Sequence, residues 1–349
     1  STQEQFDPYA NPVQIWMSGN EEEKKFLQAM GREMVAAEQL QGLQFRVINF
    51  PSEESLHENI AHKMAEGKGP DIVYTTGDWI ANNTEKLKPI ENDETFSPND
   101  YRRTFVRAAN ESLIRDEKIY GIPLAVDTLG VYYNTEQTLD RLPDRNVPGK
   151  NWNLFQEDVA KLTRTDNSFE RFAVAGVSLG RSDNMHYAYD ILENIMIQQD
   201  VNFVAPDQAS MTFHTTTGIS ERGGQLNLGV DSVNYFTSYA DPRFKHNSWG
   251  EFMAQGTGQY KNFETFAAGR LSMVLGYARD WETIKNSIDE RDSRGLFHVD
   301  EKNVRVTYFP QKSGLNAQLQ ARKLIGKVHA LAVAKDTTYK PVTWRYLKF

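Results

Sequence analysis

The chain has 349 residues, 39% of them hydrophobic, and a formal charge of −8. That length accommodates two lobes with separate cores, and an acidic balance without a basic cluster argues against a phosphate-backbone partner, so no nucleic acid is expected. Cysteine is absent, which removes thiol catalysis, disulfides and zinc-thiolate sites, and no apolar run approaches the length that spans a bilayer.

The first segment, STQEQFDPYANP from Ser1 to Pro12, is polar and lacks the basic start and apolar middle of a signal peptide, so it reads as a flexible lead-in. Val13 to Met17 is predicted as a strand. Asn20 then caps a helix whose first turn, Glu21 to Glu23, puts negative charge at the positive end of the helix dipole, with Phe26, Met30 and Met34 as its buried stripe. Phe45 to Phe50 is a second strand, Ser52 starts a helix with Leu56, Ile60 and Met64 on one face, and Ile72 to Tyr74 is a third strand. This alternation predicts a parallel sheet with crossover helices, whose ligands sit beyond the carboxyl ends of the strands.

The stretch KIYGIPLAVDTLGVYYNTE, Lys118 to Glu136, reads as two strands, Tyr120 to Leu124 and Leu129 to Tyr133, with Asp127 between them. A carboxylate flanked by Ala125, Val126 and Leu129 needs a partner or a ligand. A strand-end carboxylate held by a backbone amide is an equal alternative. Beyond Asn134 a second unit is expected: a helix around Phe155, Val159 and Leu162, a strand from Phe172 to Val177, a helix around Ile191, Leu192, Ile195 and Met196, and a helix carrying Val233, Phe236 and Ala240. Pro206 to Leu228 and Pro310 to Gln320 read as surface loops.

Four segments together resemble one family. YGIPLAVD at Tyr120 to Asp127, GPDIVYTTGDW at Gly69 to Trp79, FAAGRLSMVLGYARDWETI at Phe266 to Ile284 and PVTWRYLKF at Pro341 to Phe349 resemble, in order and at plausible spacing, the extracellular solute-binding proteins of ABC importers, in the group that includes the maltose-binding proteins. The resemblance spans nearly the whole chain. It implies an α/β, two-lobed periplasmic-binding-protein fold of type II, each lobe a mainly parallel sheet flanked by helices, with three interlobe crossings near Leu124 to Thr128, Phe266 to Leu271 and Lys327 to Leu331. On that basis residues 1–125 and 270–327 form the N-terminal lobe and 126–269 and 328–349 the C-terminal lobe, with Met273 to Leu275 in the same sheet as Val13 to Met17. Relatives continue past the position of Phe349, and many are lipoproteins anchored just before the mature chain. The resemblance further implies a monomer outside the cytoplasm, a small-molecule ligand, a membrane permease as partner, and no cofactor or metal.

Sugars are commonly bound by flat rings covering their C–H faces while polar groups bond the hydroxyls. Trp16, Tyr74, Trp79, Trp249, Tyr277 and Trp281 are predicted at strand ends or in loops, although for each of them core packing is the competing role. The family's loop after the first strand matches Ser18 and Asn20, the latter equally readable as a helix cap. Its acidic contact after the third strand matches Asp78, followed here by Trp79 where maltose-binding relatives carry a cationic residue, and its hinge carboxylate matches Asp127, suited to accept several charge-assisted bonds. Ser182, Asp183 and Asn184 resemble a cleft-facing segment and read equally as a helix N-cap. Arg279 either clamps an anionic ligand or pairs with Asp280 or Glu282.

Signals for catalysis are weak. Gly176 to Gly180 fits G-x-S-x-G, yet a nucleophile elbow needs its helix directly after the serine, and polar Arg181 to Asn184 intervenes. Gly256-Thr257-Gly258 lacks a third glycine, and the scattered histidines, including His57 and His62, do not make a metal site. The expectation is therefore non-catalytic capture of a small solute, most plainly a mono- or oligosaccharide. The alternatives are a carbohydrate-active enzyme using a carboxylate pair such as Asp78 and Asp127, and capture of a non-sugar such as a polyamine.

Overall fold

The computed structural model describes residues 11–40, 42–90, 96–166, 172–205, 210–220, 223–251, 253, 261–312, 323–338 and 340–349. The polar lead-in over residues 1–10 and the Gly256-Thr257-Gly258 stretch lie outside them, as do residues 206–209, 221–222 and 313–320 of the two expected loops. The chain divides into two compact units, residues 1–127 with 326–349, and residues 128–325.

In chain order the first unit contributes β1 (Val13–Met17), α1 (Glu21–Ala37), β2 (Phe45–Asn49), α2 (Glu53–Ala65), β3 (Ile72–Thr76), α3 (Gly77–Asn82), β4 (Leu87–Lys88), α4 (Pro98–Thr104), α5 (Arg107–Leu113), β5 (Ile114–Arg115), β6 (Lys118–Ile119) and β7 (Ile122–Asp127). The second continues with β8 (Gly130–Asn134), α6 (Thr135–Arg141), α7 (Trp152–Leu162), β9 (Arg164–Thr165), β10 (Phe172–Val177), α8 (Ala188–Gln198), β11 (Thr217–Ile219), β12 (Gln225–Asn227), α9 (Leu228–Thr237), α10 (Lys261–Ala267), β13 (Leu271–Gly276), α11 (Trp281–Ser293) and β14 (Val304–Tyr308). The chain then returns to the first unit as β15 (Lys327–Ala334) and α12 (Lys340–Lys348).

The first sheet runs β2-β1-β3-β15-β4, with β7 also paired to β15. β1 is parallel to β2 and β3, whereas β15 runs antiparallel to β3, β4 and β7. Alternation along β1 divides its side chains between the two faces. Ile15 and Met17 join the core with Leu27 and Met34 of α1, and Trp16 packs with Leu56 and Ile60 of α2. Local chemistry starts both helices: Asn20 Oδ1 accepts from the Glu23 amide at 2.8 Å, and Ser52 Oγ accepts from the Ser55 amide at 3.1 Å.

The second sheet runs β14-β8-β13-β10-β9, with β10 and β13 parallel and the β13–β8, β8–β14 and β9–β10 pairs antiparallel. Both of its faces are covered. Met273 and Leu275 pack with Val131, Phe155, Ile195 and Phe236 on one side, and Val274 packs with Tyr132, Phe263 and Ile284 on the other.

Three expectations change. Residues 270–325 belong to the second unit and 328–349 to the first, and Met273 is paired with Ala175's strand and with Tyr133, not with β1. Leu271 to Gly276 is buried at every position, as a strand flanked on both sides must be; that apolar run marks a central strand without saying in which sheet. The middle crossing near Phe266 to Leu271 is accordingly not a passage between units; the chain changes unit after Asp127 and before Gly326. The sheets are also mixed in direction, because β15 enters the first from the opposite end and β8 the second.

Candidate functional site

At the carboxyl ends of β1, β2 and β3 the first unit gathers polar groups and rings. The turn after β1 is clamped by Asn49, whose Oδ1 accepts from the Gly19 amide at 3.1 Å and whose Nδ2 donates to the Gly19 carbonyl at 2.9 Å. Asn20 is a full capping box, since its own amide also donates to Glu23 Oε2 at 2.9 Å, and Tyr74 Oη donates to Glu23 Oε1 at 2.9 Å. Asn20 and Tyr74 thus meet on one carboxylate. Ser18 lies partly buried beside them.

Beyond β3, Asp78 is exposed in the first turn of α3 and Trp79 is partly buried. The Trp79 ring lies nearly parallel to His57 of α2, 5.0 Å between centroids and 15° apart, and His57 Nε2 shares a 2.8 Å hydrogen bond with Thr75 Oγ1. Burial pushes the His57 imidazole below its ordinary 6.5, with Glu53 pulling it the other way. The indole also packs partly buried against both hydrophobic clusters of this unit, with the exposed Asp78 carboxylate as its neighbour in the chain. Asp127, partly buried, ends β7 opposite Lys327 of β15.

Trp16 does not join this edge. It is 6% exposed, tilted against Phe50 at 5.2 Å, with Nε1 donating to Gln14 Oε1 at 3.0 Å, so its role is to fill the space under α2.

In the second unit the sequence candidates separate. Trp249 is fully buried and donates through Nε1 to Asn184 Oδ1 at 2.8 Å, while Asn184 Nδ2 donates to the Gly250 and Glu251 carbonyls at 3.0 and 3.3 Å. The two form a structural clip and leave the ligand set. Ser182 and Asp183 are exposed, Asp183 bound to Arg181 at 2.7 Å, and neither caps a helix because α8 begins only at Ala188 after Tyr187.

Tyr277 stands directly beyond the carboxyl end of β13. It is 3% exposed, and its Oη donates to Asp190 Oδ2 at 2.7 Å. Its amide donates to Asp280 Oδ2 at 2.6 Å. Arg279, partly buried, comes two residues later. Trp281 stacks on Tyr132, 6.5 Å and 10° apart, and both line a hollow of about 850 Å³ with Ala278, Val304, Arg305 and Val306.

Sequence reasoning missed Glu23, His57, Tyr187, Asp190 and Asp280. Glu23 carried a local signal, three residues after the Asn20 cap where a capping box places a glutamate, and His57 a weaker one, next to Leu56 on the buried face of α2. Ser178 of the G-x-S-x-G stretch is buried and accepts from Asn262 Nδ2 at 3.3 Å, with no helix at its back, as a nucleophile elbow would require. Among the described residues no cluster of His, Asp and Glu is arranged to hold a metal, and no helix is long and apolar enough to cross a membrane.

A family model described as bacterial extracellular solute-binding protein matches residues 34–349. Among solved structures, the GacH receptor of Streptomyces glaucescens, determined unliganded and with acarbose, is 17% identical with a TM-score of 0.67, covering 97% of this chain and 74% of that one. An ABC transporter solute-binding protein from Thermotoga lettingae bound to α-D-tagatose is 16% identical, TM-score 0.63, over 97% of this chain and 77% of that one. The maltose-maltodextrin binding protein of Alicyclobacillus acidocaldarius is 14% identical, TM-score 0.64, over 97% and 76%. At these identities the likeness establishes the two-lobed α/β fold. Among curated proteins, none matches the sequence.

Proposed function

The chain belongs to the bacterial extracellular solute-binding proteins, a family of binding proteins and not of enzymes, and from that premise we propose that its solute is a mono- or oligosaccharide. The observation that carries the reading is the edge beyond β3, where the Trp79 ring, braced by His57 at 5.0 Å, adjoins the exposed Asp78 carboxylate. A ring that covers the C–H face of a sugar beside a carboxylate that accepts from its hydroxyls is the chemistry saccharide capture needs. Asp127 belongs to the same reading as a hydroxyl acceptor. The sugar ligands named for the GacH receptor and the Thermotoga lettingae protein support it from outside the chain.

Delivery of the captured sugar to the permease of an ABC importer completes the proposal. The protein then works outside the cytoplasmic membrane as a monomer, in the periplasm or tethered by a lipid anchor.

The test is a thermal-shift and calorimetric screen against maltose, maltotetraose, D-tagatose and a polyamine control. A cognate sugar at about a hundred times its Kd raises stability by roughly 2.7 kcal/mol, and chromatography of the incubated sugar shows it unchanged. Preference for the polyamine, or conversion of the sugar, would overturn the reading.

A further inference from the structure

The second unit holds an aromatic cluster in which one buried carboxylate joins two of the tyrosines. Asp280 is 4% exposed. Its Oδ2 accepts the Tyr277 amide at 2.6 Å, and its Oδ1 accepts from Tyr187 Oη at 2.8 Å, across 93 residues of sequence. The two tyrosine rings meet edge to face, 4.9 Å and 86° apart. Gly276 permits this, since a Cβ there would stand 2.9 Å from Asp280 Oδ2. The loop is fixed from the other side by Tyr132 Oη, which donates to the Tyr277 and Ala278 carbonyls at 2.8 and 3.2 Å.

Tyr187 is the unusual member. It precedes α8 with φ 61° and ψ 25°, a left-handed conformation that a tyrosine holds only when its surroundings over-determine it. One anchor is the ring's hydroxyl on Asp280. Another is the preceding amide, where His186 N donates to the fully buried Asn262 Oδ1 at 3.1 Å, and the ring also meets His186 and Phe263 with centroids 4.0 and 6.4 Å away. Conformations of this kind gather where a side chain must be presented in one orientation. Tyr187 also remains partly exposed, beside Tyr277 and so beyond the carboxyl end of the β10–β13 parallel pair, the edge at which α/β sheets take their ligands.

We propose that Asp280 is the positioning residue of a saccharide subsite on the second unit, holding the Tyr187 ring in the orientation in which it stacks on a sugar. The inference rests on the saccharide reading above. Asp280 itself does not touch the sugar; its carboxylate sets the tyrosine and locks the loop behind it.

The test is a double-mutant cycle with Asp280→Asn, Tyr187→Phe and both together. Maltotetraose and D-tagatose are titrated calorimetrically, and near-ultraviolet circular dichroism is recorded without sugar. Each single variant weakens binding about ten-fold, the scale of a lost charged hydrogen bond, and the double variant binds no worse than the weaker single. The unliganded Asp280→Asn spectrum shows an altered tyrosine band, and that alteration is absent when Asp280→Asn is made on the Tyr187→Phe background. Wild-type affinity in Asp280→Asn with only a lowered melting temperature overturns the proposal, as do additive losses. Where Asp280→Asn fails to fold, full affinity in Tyr187→Phe overturns it equally. A wild-type protein that binds neither sugar but binds the polyamine removes the saccharide reading, and this inference with it.

Discussion

His57 is the residue whose burial has a consequence in solution. Its folded pKa lies below the ordinary 6.5 because desolvation disfavours the imidazolium, so as pH falls the unfolded chain takes up the proton first. Its neutral form therefore supports the fold fully above about pH 6.5, and that support is lost as pH falls from there toward the folded pKa. Melting temperatures measured from pH 7.5 to 5 should drop more steeply for the wild type than for His57→Gln; parallel curves would show that the stack on Trp79 tolerates the charge. The shift at His246, also lowered by burial, remains in both proteins and cancels. Part of the candidate site was legible at this scale. Asp78 and Trp79 come just after a strand whose pattern is plain, so their place at its carboxyl end could be read. The sequence could not tell Trp16 and Trp249, which face cores, from a ring that faces a ligand, since an aromatic at a strand end suits either. The Tyr187–Asp280 contact links residues that only the folded second unit brings together.

Among the elements, α1 shows how a cap and a stripe share the work of placing a helix. Asn20→Ala removes the side-chain oxygen that accepts from the Glu23 amide, while the backbone amide at position 20 still donates to Glu23 Oε2 and Tyr74 keeps its bond to Oε1. The expected loss is about 1 kcal/mol, the typical value for one such cap, read from denaturant unfolding. A variant that keeps full stability and loses sugar affinity would instead make Asn20 a ligand contact. The stripe agrees with its expected place at Met34, which is buried, and in part at Met30, which packs partly buried against the core, but Leu27 and Gly31 complete the buried face and Phe26 is 54% exposed. Gly31 is the reason, because the Phe45 ring of β2 sits where its Cβ would be, 2.8 Å away, and a hydrophobic count gives glycine no weight as a contact surface. Strands were read more surely: Val13 to Met17 and Phe172 to Val177 were placed to the residue. What periodicity does not encode is partnership, which is why β13 was given to the wrong sheet.

At the scale of the whole molecule, the second unit is one continuous stretch, Thr128 to Ile325, inserted into the first. The fold of the first unit is closed only by β15 and α12, which lie beyond that insertion in sequence. β15 occupies the middle of its sheet, beside β3 and β7, Thr337 Oγ1 donates to Asp71 Oδ1 across 266 residues, and Tyr346 Oη donates to the Leu27 carbonyl across 319. Expressed alone, residues 128–325 should unfold cooperatively, whereas residues 11–127 should lack a cooperative transition until a peptide carrying Lys327 to Lys348 is added in trans. A folded 11–127 fragment would contradict this. The arrangement also sets an order of events during synthesis. Contacts between residues so distant in sequence form late, so the nascent chain exposes an incomplete sheet until β15 and α12 have emerged. Such a chain leaves the edge of β3 unpaired for most of the time it is being made, an open strand edge that invites pairing with other chains until β15 covers it.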